Sequence, residues 1–312
     1  MLFYQQRAEV KSFLYSYWFL YLGMDKIKII GVPEHFNFPW LKVVEEQPFK
    51  EEEIFLEWIN EPRGSGAMNK AIREEQAELA IILTESFIKD RIEGNSGQII
   101  GFHVQSPLIW GIHISSKIQI NHVEELNHAP FIISRYGSGS HLMAFLLARK
   151  NGWDMGTLQF EVVGDLEGAK KALKSVVPKI FLWEKYMTKP LVDKGLFTRV
   201  GEIPTPWPCF VMVASKKALE KYPQQLKKLR EMVYEKSSSL SKDIDLPRQL
   251  SENYSINESD LKEWLTQTDW ANKGEIQIKT LRQTIESLKS LNLISQEIAV
   301  EELVALEFVE LV

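Results

Sequence analysis

The sequence predicts an α/β protein of two lobes, each built on a mixed, mostly parallel sheet covered by helices, with a helical C-terminal tail. Three observations predict it. Short apolar, strand-like runs alternate with amphipathic helical stretches from Lys26 to Ala214. Two of those runs end in small-residue turns, Gly64-Ser65-Gly66 and Gly137-Ser138-Gly139-Ser140, which open directly into helices. Beyond Lys216 the strand signals stop and apolar residues recur at helical spacing.

The elements follow in order. Lys28–Val32 is an apolar strand closed by Pro33-Glu34-His35, and a helix spans Pro39–Glu46. Ile54–Asn60 alternates as a strand, ends at Glu61-Pro62-Arg63-Gly64, and leads to a helix over Gly66–Glu74. Leu79–Leu83 is a third strand and Glu85–Ile92 a third helix. Gln98–Gln105 and Leu108–Ser115 are strands joined at Ser106-Pro107. The second half repeats the logic: strand Pro130–Ser134 with helix Ser140–Lys150, strand Phe160–Val163 with helix Glu167–Ser175, and strand Lys179–Trp183 with helix Glu184–Asp193. Strands Phe197–Ile203 and Phe210–Ala214 follow, separated by Pro204–Pro208. In the tail, helical spacing runs through Leu226–Tyr234, Leu261–Leu265, Ile276–Leu293 and Ile298–Leu306, with Pro223, Pro247 and Asn257–Asp260 as starts. A β-α-β-α-β order implies parallel strands. If the chain crosses between lobes near 105–108 and again near 204–208, residues 26–105 plus 206–312 form lobe 1 and 108–204 an inserted lobe 2.

Bulk properties exclude several classes. A chain of 312 residues, 45% hydrophobic and 25% charged, is long enough for two cores. Its net charge of −5 gives a nucleic-acid role no support. One cysteine, Cys209, rules out an intrachain disulfide and any multi-cysteine metal centre within one chain. It reads as a small buried or pocket-lining residue. No metal or organic cofactor is expected.

Residues 1–23 read as an N-terminal extension. Phe13–Met24 is apolar and follows Arg7 and Lys11, as a secretory core would. It lacks a small-x-small cleavage site and is too short to span a bilayer as a helix. MDKIKIIGV from Met24 reads as a start that runs straight into a strand. The expectation is a cytoplasmic protein, with a periplasmic or membrane-tethered form as the alternative.

The two glycine-serine turns carry the chemistry. A helix start presents unpaired N–H groups and the positive end of the helix dipole, and glycine lets a ligand reach the backbone. Such a start holds a small anion without a dedicated cation. The plainer reading is that Ser140 caps a helix and the glycines only make turns.

In their order, several pieces resemble the type 2 periplasmic binding proteins. They are Gly31-Val32-Pro33-Glu34-His35, Gly64-Ser65-Gly66-Ala67-Met68, Leu83-Thr84-Glu85, Gly137-Ser138-Gly139-Ser140-His141, Phe181-Leu182-Trp183-Glu184 and Pro204-Thr205-Pro206-Trp207-Pro208-Cys209-Phe210. Within that fold family the chain is most similar to the nitrate-, sulfonate- and taurine-binding branch and the yeast thiamine-pyrimidine synthases, and to leaderless intracellular members among them. The resemblance covers residues 26–312. It implies a hinged clamp that closes over a small anionic metabolite. In transport members the closed form meets a membrane permease, a step that requires export.

That resemblance brings candidate ligand-binding residues to the strand ends. They are His35, Asn37 and Trp40 after the first strand, Gly64 and Ser65, then Thr84, which also suits a helix cap. In lobe 2 they are Ser138, Gly139, Ser140 and His141, with Arg135 and Tyr136 placed to close over a ligand. Trp183 can stack on a planar ligand. Glu184 either pairs with a ligand amine or begins a helix, and Trp207 either touches ligand or packs the hinge. Alanine at Ser138 and Ser140, or at His35, is expected to weaken binding and spare stability. His103, His113, His122 and His128 lack metal-ligand spacing. An enzyme like the pyrimidine synthases is the alternative, with Lys70 as a Schiff-base candidate, although their cysteine-rich iron motif is missing here. A third reading is the binding component of an ABC transporter.

Overall fold

A computed structural model describes residues 25–312. The readings of residues 1–23 and of Phe13–Met24 lie outside the described residues.

The first half begins with β1 (Asp25–Gly31), a 3-10 turn (His35–Asn37), α1 (Phe38–Glu46) and β2 (Ile54–Asn60). Then come α2 (Ser65–Arg73), β3 (Leu79–Leu83), α3 (Thr84–Ile92) and β4 (Gln98–Val104). The second run holds β5 (Ile109–Ser115), β6 (Phe131–Ile133), α4 (Gly139–Lys150), β7 (Phe160–Val162), α5 (Leu166–Ala172), β8 (Ile180–Glu184), α6 (Lys189–Asp193) and β9 (Phe197–Pro204). β10 (Phe210–Ala214) then rejoins the first sheet.

The two five-stranded sheets have the orders β2-β1-β3-β10-β4 and β7-β6-β8-β5-β9. In each, four strands point one way and one opposes them, β10 in the first and β5 in the second. Both opposing strands directly follow a crossing between sheets. β3, Leu-Ala-Ile-Ile-Leu, is buried at every position, as a strand covered on both faces requires. The crossings are bonded to each other. Thr205 donates its N–H to the Leu108 carbonyl at 2.9 Å, Leu108 donates back to Thr205 Oγ1 at 3.0 Å, and Cys209 donates to the Ser106 carbonyl at 3.1 Å.

The tail comprises α7 (Lys216–Lys221), α8 (Pro223–Leu240), α9 (Leu246–Tyr254), α10 (Glu258–Gln267), β11 (Glu275–Ile276), α11 (Ile278–Ser290), α12 (Val300–Leu303) and β12 (Glu310–Leu311). Pro223, Pro247 and Asn257 stand at helix starts, where proline's missing N–H costs nothing. Ile276 is not helical as expected. It pairs in parallel with Leu311, and a two-residue strand leaves no periodic trace. α10 also reaches the second sheet. Lys185, after β8, sits 3.0 Å from both Glu263 and Glu202, and Tyr186 donates its hydroxyl to Gln267 Oε1. No helix among the described residues is long and apolar enough to cross a membrane.

Candidate functional site

The starts of α2 and α4, from opposite sheets, converge on one cavity of about 70 Å³. One water needs roughly 10–15 Å³ of such space, so the cavity suits a compact group of a few atoms. Gly64, at φ 77°, and Gly137, at φ 76°, adopt the left-handed backbone that each turn requires. The N–H groups of Ser65 and Gly66, and of Gly139 and Ser140, have no acceptor within their helices.

Seven expected residues line this cavity: Gly64, Ser65, Ser138, Gly139, Ser140, Trp183 and Glu184. Their hydroxyls also hold the turns. Ser65 Oγ accepts the Leu83 N–H at 3.2 Å, Ser140 Oγ accepts the Ser134 N–H at 3.2 Å, and Ser138 Oγ accepts the His141 N–H at 3.3 Å. Ser138 and Ser140 share a 3.0 Å hydrogen bond, so one of their two hydroxyl protons remains free for an outside acceptor. Ser138, and not Ser140 as expected, caps α4, while the Ser140 hydroxyl ties the helix start to Ser134. Both side chains therefore hold the turn as well as lining the cavity.

Arg135 reaches from the second sheet to the first. Its Nη1 donates to the Arg63 carbonyl at 3.1 Å, and it lines the cavity. A methyl group on Gly66 would sit 1.8 Å from Arg135 Nη2, so glycine is what lets the guanidinium lie on the α2 start. Burial lowers its pKa, and Asp90 and Glu61 oppose that shift. Arg63 itself is exposed and paired with Glu61.

The remaining expected residues do not line the cavity. His35 is fully buried against Phe36, Tyr254 and Trp264, and neither ring nitrogen has a partner. Burial drives its pKa down to about 3, so the ring is neutral. Trp40 is core, with its ring 6.3 Å from that of His103. Asn37 faces a neighbouring cavity of about 260 Å³, shared with Glu34, Trp58 and Tyr254. Thr84 is the buried first residue of α3. His141 accepts the Gly137 N–H through Nδ1 and packs against Phe145 and Phe160, while Tyr136 is exposed beside it. Trp207 is 3% exposed and donates its indole N–H to Glu85, so it packs the return crossing against α3. Cys209 is buried and free.

Glu184 does not begin a helix. It ends β8, and its Oε2 accepts the N–H groups of Tyr186 and Met187, which holds a turn and delays α6 to Lys189. Opposite it on β5 stands Trp110, whose buried indole N–H has no partner and which also lines the cavity. Sequence reasoning missed Trp110 and Glu34. Trp110 reads as an ordinary apolar strand residue, and Glu34 as a solvated loop charge.

Comparison with known proteins identifies the fold. Residues 110–203 match the family described as Ca3427-like PBP. The Candida albicans CA3427 gene product, described as defining a new family with the generic periplasmic binding protein fold, is 24% identical. It superposes with a TM-score of 0.82 over 90% of this chain and 96% of that one. The alkanesulfonate-binding protein SsuA from Xanthomonas axonopodis pv. citri, solved bound to MOPS, is 12% identical with a TM-score of 0.73, over 92% and 98%. PhnD1 from Prochlorococcus marinus, solved with methylphosphonate, is 12% identical with a TM-score of 0.58, over 86% and 99%. No curated protein sequence matches the chain. This chain is thus a protein of the type 2 periplasmic-binding-protein fold, with a Ca3427-like PBP segment from residue 110 to residue 203.

Proposed function

We propose that this protein binds a small molecule through an acidic group, held between residues 26–105 plus 206–312 as one lobe and 108–204 as the other. The observation that carries the reading is the meeting of two helix starts from different sheets at one cavity, with Arg135 spanning them. Each start offers free N–H groups and a partial positive charge, and two together favour an anion more than either alone. Support comes also from structures of the same fold, an alkanesulfonate-binding protein and a methylphosphonate complex. Lobe closure brings the donors together and excludes water, which strengthens each bond.

Thermal melting against methylphosphonate, ethanesulfonate, acetate and sulfate tests this. A ligand at about 100 times its Kd adds about 2.7 kcal/mol, which is easily read as a raised Tm. Stabilisation by one head-group class, lost on substituting Arg135 by Ala, is the expected result. Equal shifts in the Arg135→Ala variant, or no shift from any ion, would overturn it.

A further inference from the structure

We propose that Trp110 sets the specificity of this cleft: its indole N–H donates to the bound acidic group beside the start of α4 and favours one head-group geometry over another. The proposal rests on the anion-binding reading and deepens it to the residue that discriminates between acids.

Trp110 is 5% exposed, lines the cavity, and has no hydrogen-bond partner at Nε1. An indole N–H only donates, and a buried donor without an acceptor costs stability. Its neighbours in the sheet do not take it. Trp110 pairs with Glu184 on one side and Ile203 on the other. Ile203 has no side-chain acceptor, and Glu184 Oε2 accepts the Tyr186 and Met187 N–H groups instead.

The ring is fixed against the helix start. A methyl group on Gly139 would sit 3.0 Å from Trp110 Cη2, 3.1 Å from Cζ2 and 2.8 Å from Leu83 Cδ1. Cζ2 adjoins the ring carbon that carries the N–H, so the donor edge rests at the α4 start. Gly139 thus does for Trp110 what Gly66 does for Arg135. At each helix start a missing side chain admits one donor from outside that helix, a charged guanidinium at α2 and a neutral indole at α4.

The difference in charge divides the labour. The helix starts and Arg135 supply the general attraction for an anion. A neutral indole adds one directed bond, made only where an oxygen stands in line with the N–H. The two helix starts, Arg135 and the free hydroxyl proton of the Ser138–Ser140 pair already outnumber the roughly four acceptor sites of a carboxylate. A tetrahedral acid has a third oxygen left for the indole. Leu83, Leu108 and Phe210, which complete the wall, present no competing polar side chain. Trp110 therefore favours three-oxygen acids over planar carboxylates.

The test uses the full chain and its Trp110→Phe variant, which keeps an aromatic ring and drops the N–H. Both are titrated by calorimetry with methylphosphonate, ethanesulfonate and propanoate. The variant should bind the tighter of the two three-oxygen acids about tenfold more weakly, the scale of one hydrogen bond to a charged group, and propanoate no more than about threefold more weakly. In nitrogen–proton correlation spectra of the unsubstituted chain, the Trp110 indole resonance should move downfield and saturate at the calorimetric affinity. An indole resonance unmoved at saturation, or equal effects of the substitution on all three acids, would overturn this proposal and leave the anion reading standing. Failure of all three acids to bind the unsubstituted chain would overturn both. A circular dichroism melt of the variant separates lost binding from lost folding, and the indole resonance decides the matter without the variant.

Discussion

Trp207 donates its indole N–H to Glu85 Oε2 at 2.8 Å, tying the return crossing to the first turn of α3. The two residues lie far apart in sequence, and both are buried. Thr205 completes the lock by donating its hydroxyl to the Trp207 carbonyl at 2.8 Å while its backbone bonds Leu108 on the outgoing crossing. The crossings therefore act as one two-strand connector fixed to the first sheet.

Glu85 gives this connector a pH dependence. Burial pushes its carboxyl up to about 7, against an ordinary value of 4.5. Its contribution to stability is complete below 4.5 and is lost as pH rises through 7. Glu34 and Glu184 act with the same sign. Burial lowers His35 to about 3 and His103 and His113 to about 4, so these three cost stability as pH falls below 6.5. Above 6.5 the carboxyls alone decide the slope. Tm should decline from pH 6.5 to about pH 8.5, and Glu85→Gln, which keeps an acceptor for Trp207, should remove the Glu85 share of the loss, which falls between pH 4.5 and about 7. An unchanged slope between pH 4.5 and 7 in Glu85→Gln would show that Glu85 does not titrate there.

Gly66→Ala separates binding from stability. Alanine favours the helix by up to about 1 kcal/mol. Its methyl group would displace the Arg135 guanidinium. Tm should hold or rise, while affinity for an alkylsulfonate or phosphonate probe falls about tenfold, the scale of one charge-assisted bond. Calorimetry beside a melting curve reads both. Unaltered affinity would remove Arg135 from the site.

Ser138→Ala should lower stability by about 1 kcal/mol, because its hydroxyl caps α4. Ser140→Ala leaves the Ser134 N–H without its acceptor and should cost a similar amount. Both should also weaken anion binding. The double variant, made by urea titration and probe titration, should show both losses; intact stability would contradict the capping geometry.

His35→Ala should behave differently. The ring sits 4.3 Å from Trp264 and 4.7 Å from Phe36, and its removal leaves a cavity. A loss of about 2–4 kcal/mol is expected, with little change in probe affinity at a temperature where the variant stays folded. Lost binding with full stability would return His35 to the site.

The strands were legible because runs such as Ile27–Ile30 and Leu79–Leu83 are apolar enough to be buried. The helix starts of α2 and α4 were legible because a glycine at positive φ beside serines leaves a sequence trace. Other features depend on tertiary partners and leave none. Trp207 looks exposed between prolines until Glu85 is seen beneath it. His35 looks polar until α9 and α10 fold over it with Tyr254 and Trp264. Glu34 and Trp110 join the site only because two sheets meet, a juxtaposition that no local pattern encodes.

The central claim is that one acidic group is held by helix starts from both sheets. Amide nitrogen–proton correlation spectra during titration with methylphosphonate or ethanesulfonate test it most directly. The account predicts that the largest shifts fall together on Ser65 and Gly66 in α2 and on Gly139 and Ser140 in α4, saturating at one affinity. Shifts confined to one sheet, or centred away from both helix starts, would contradict it.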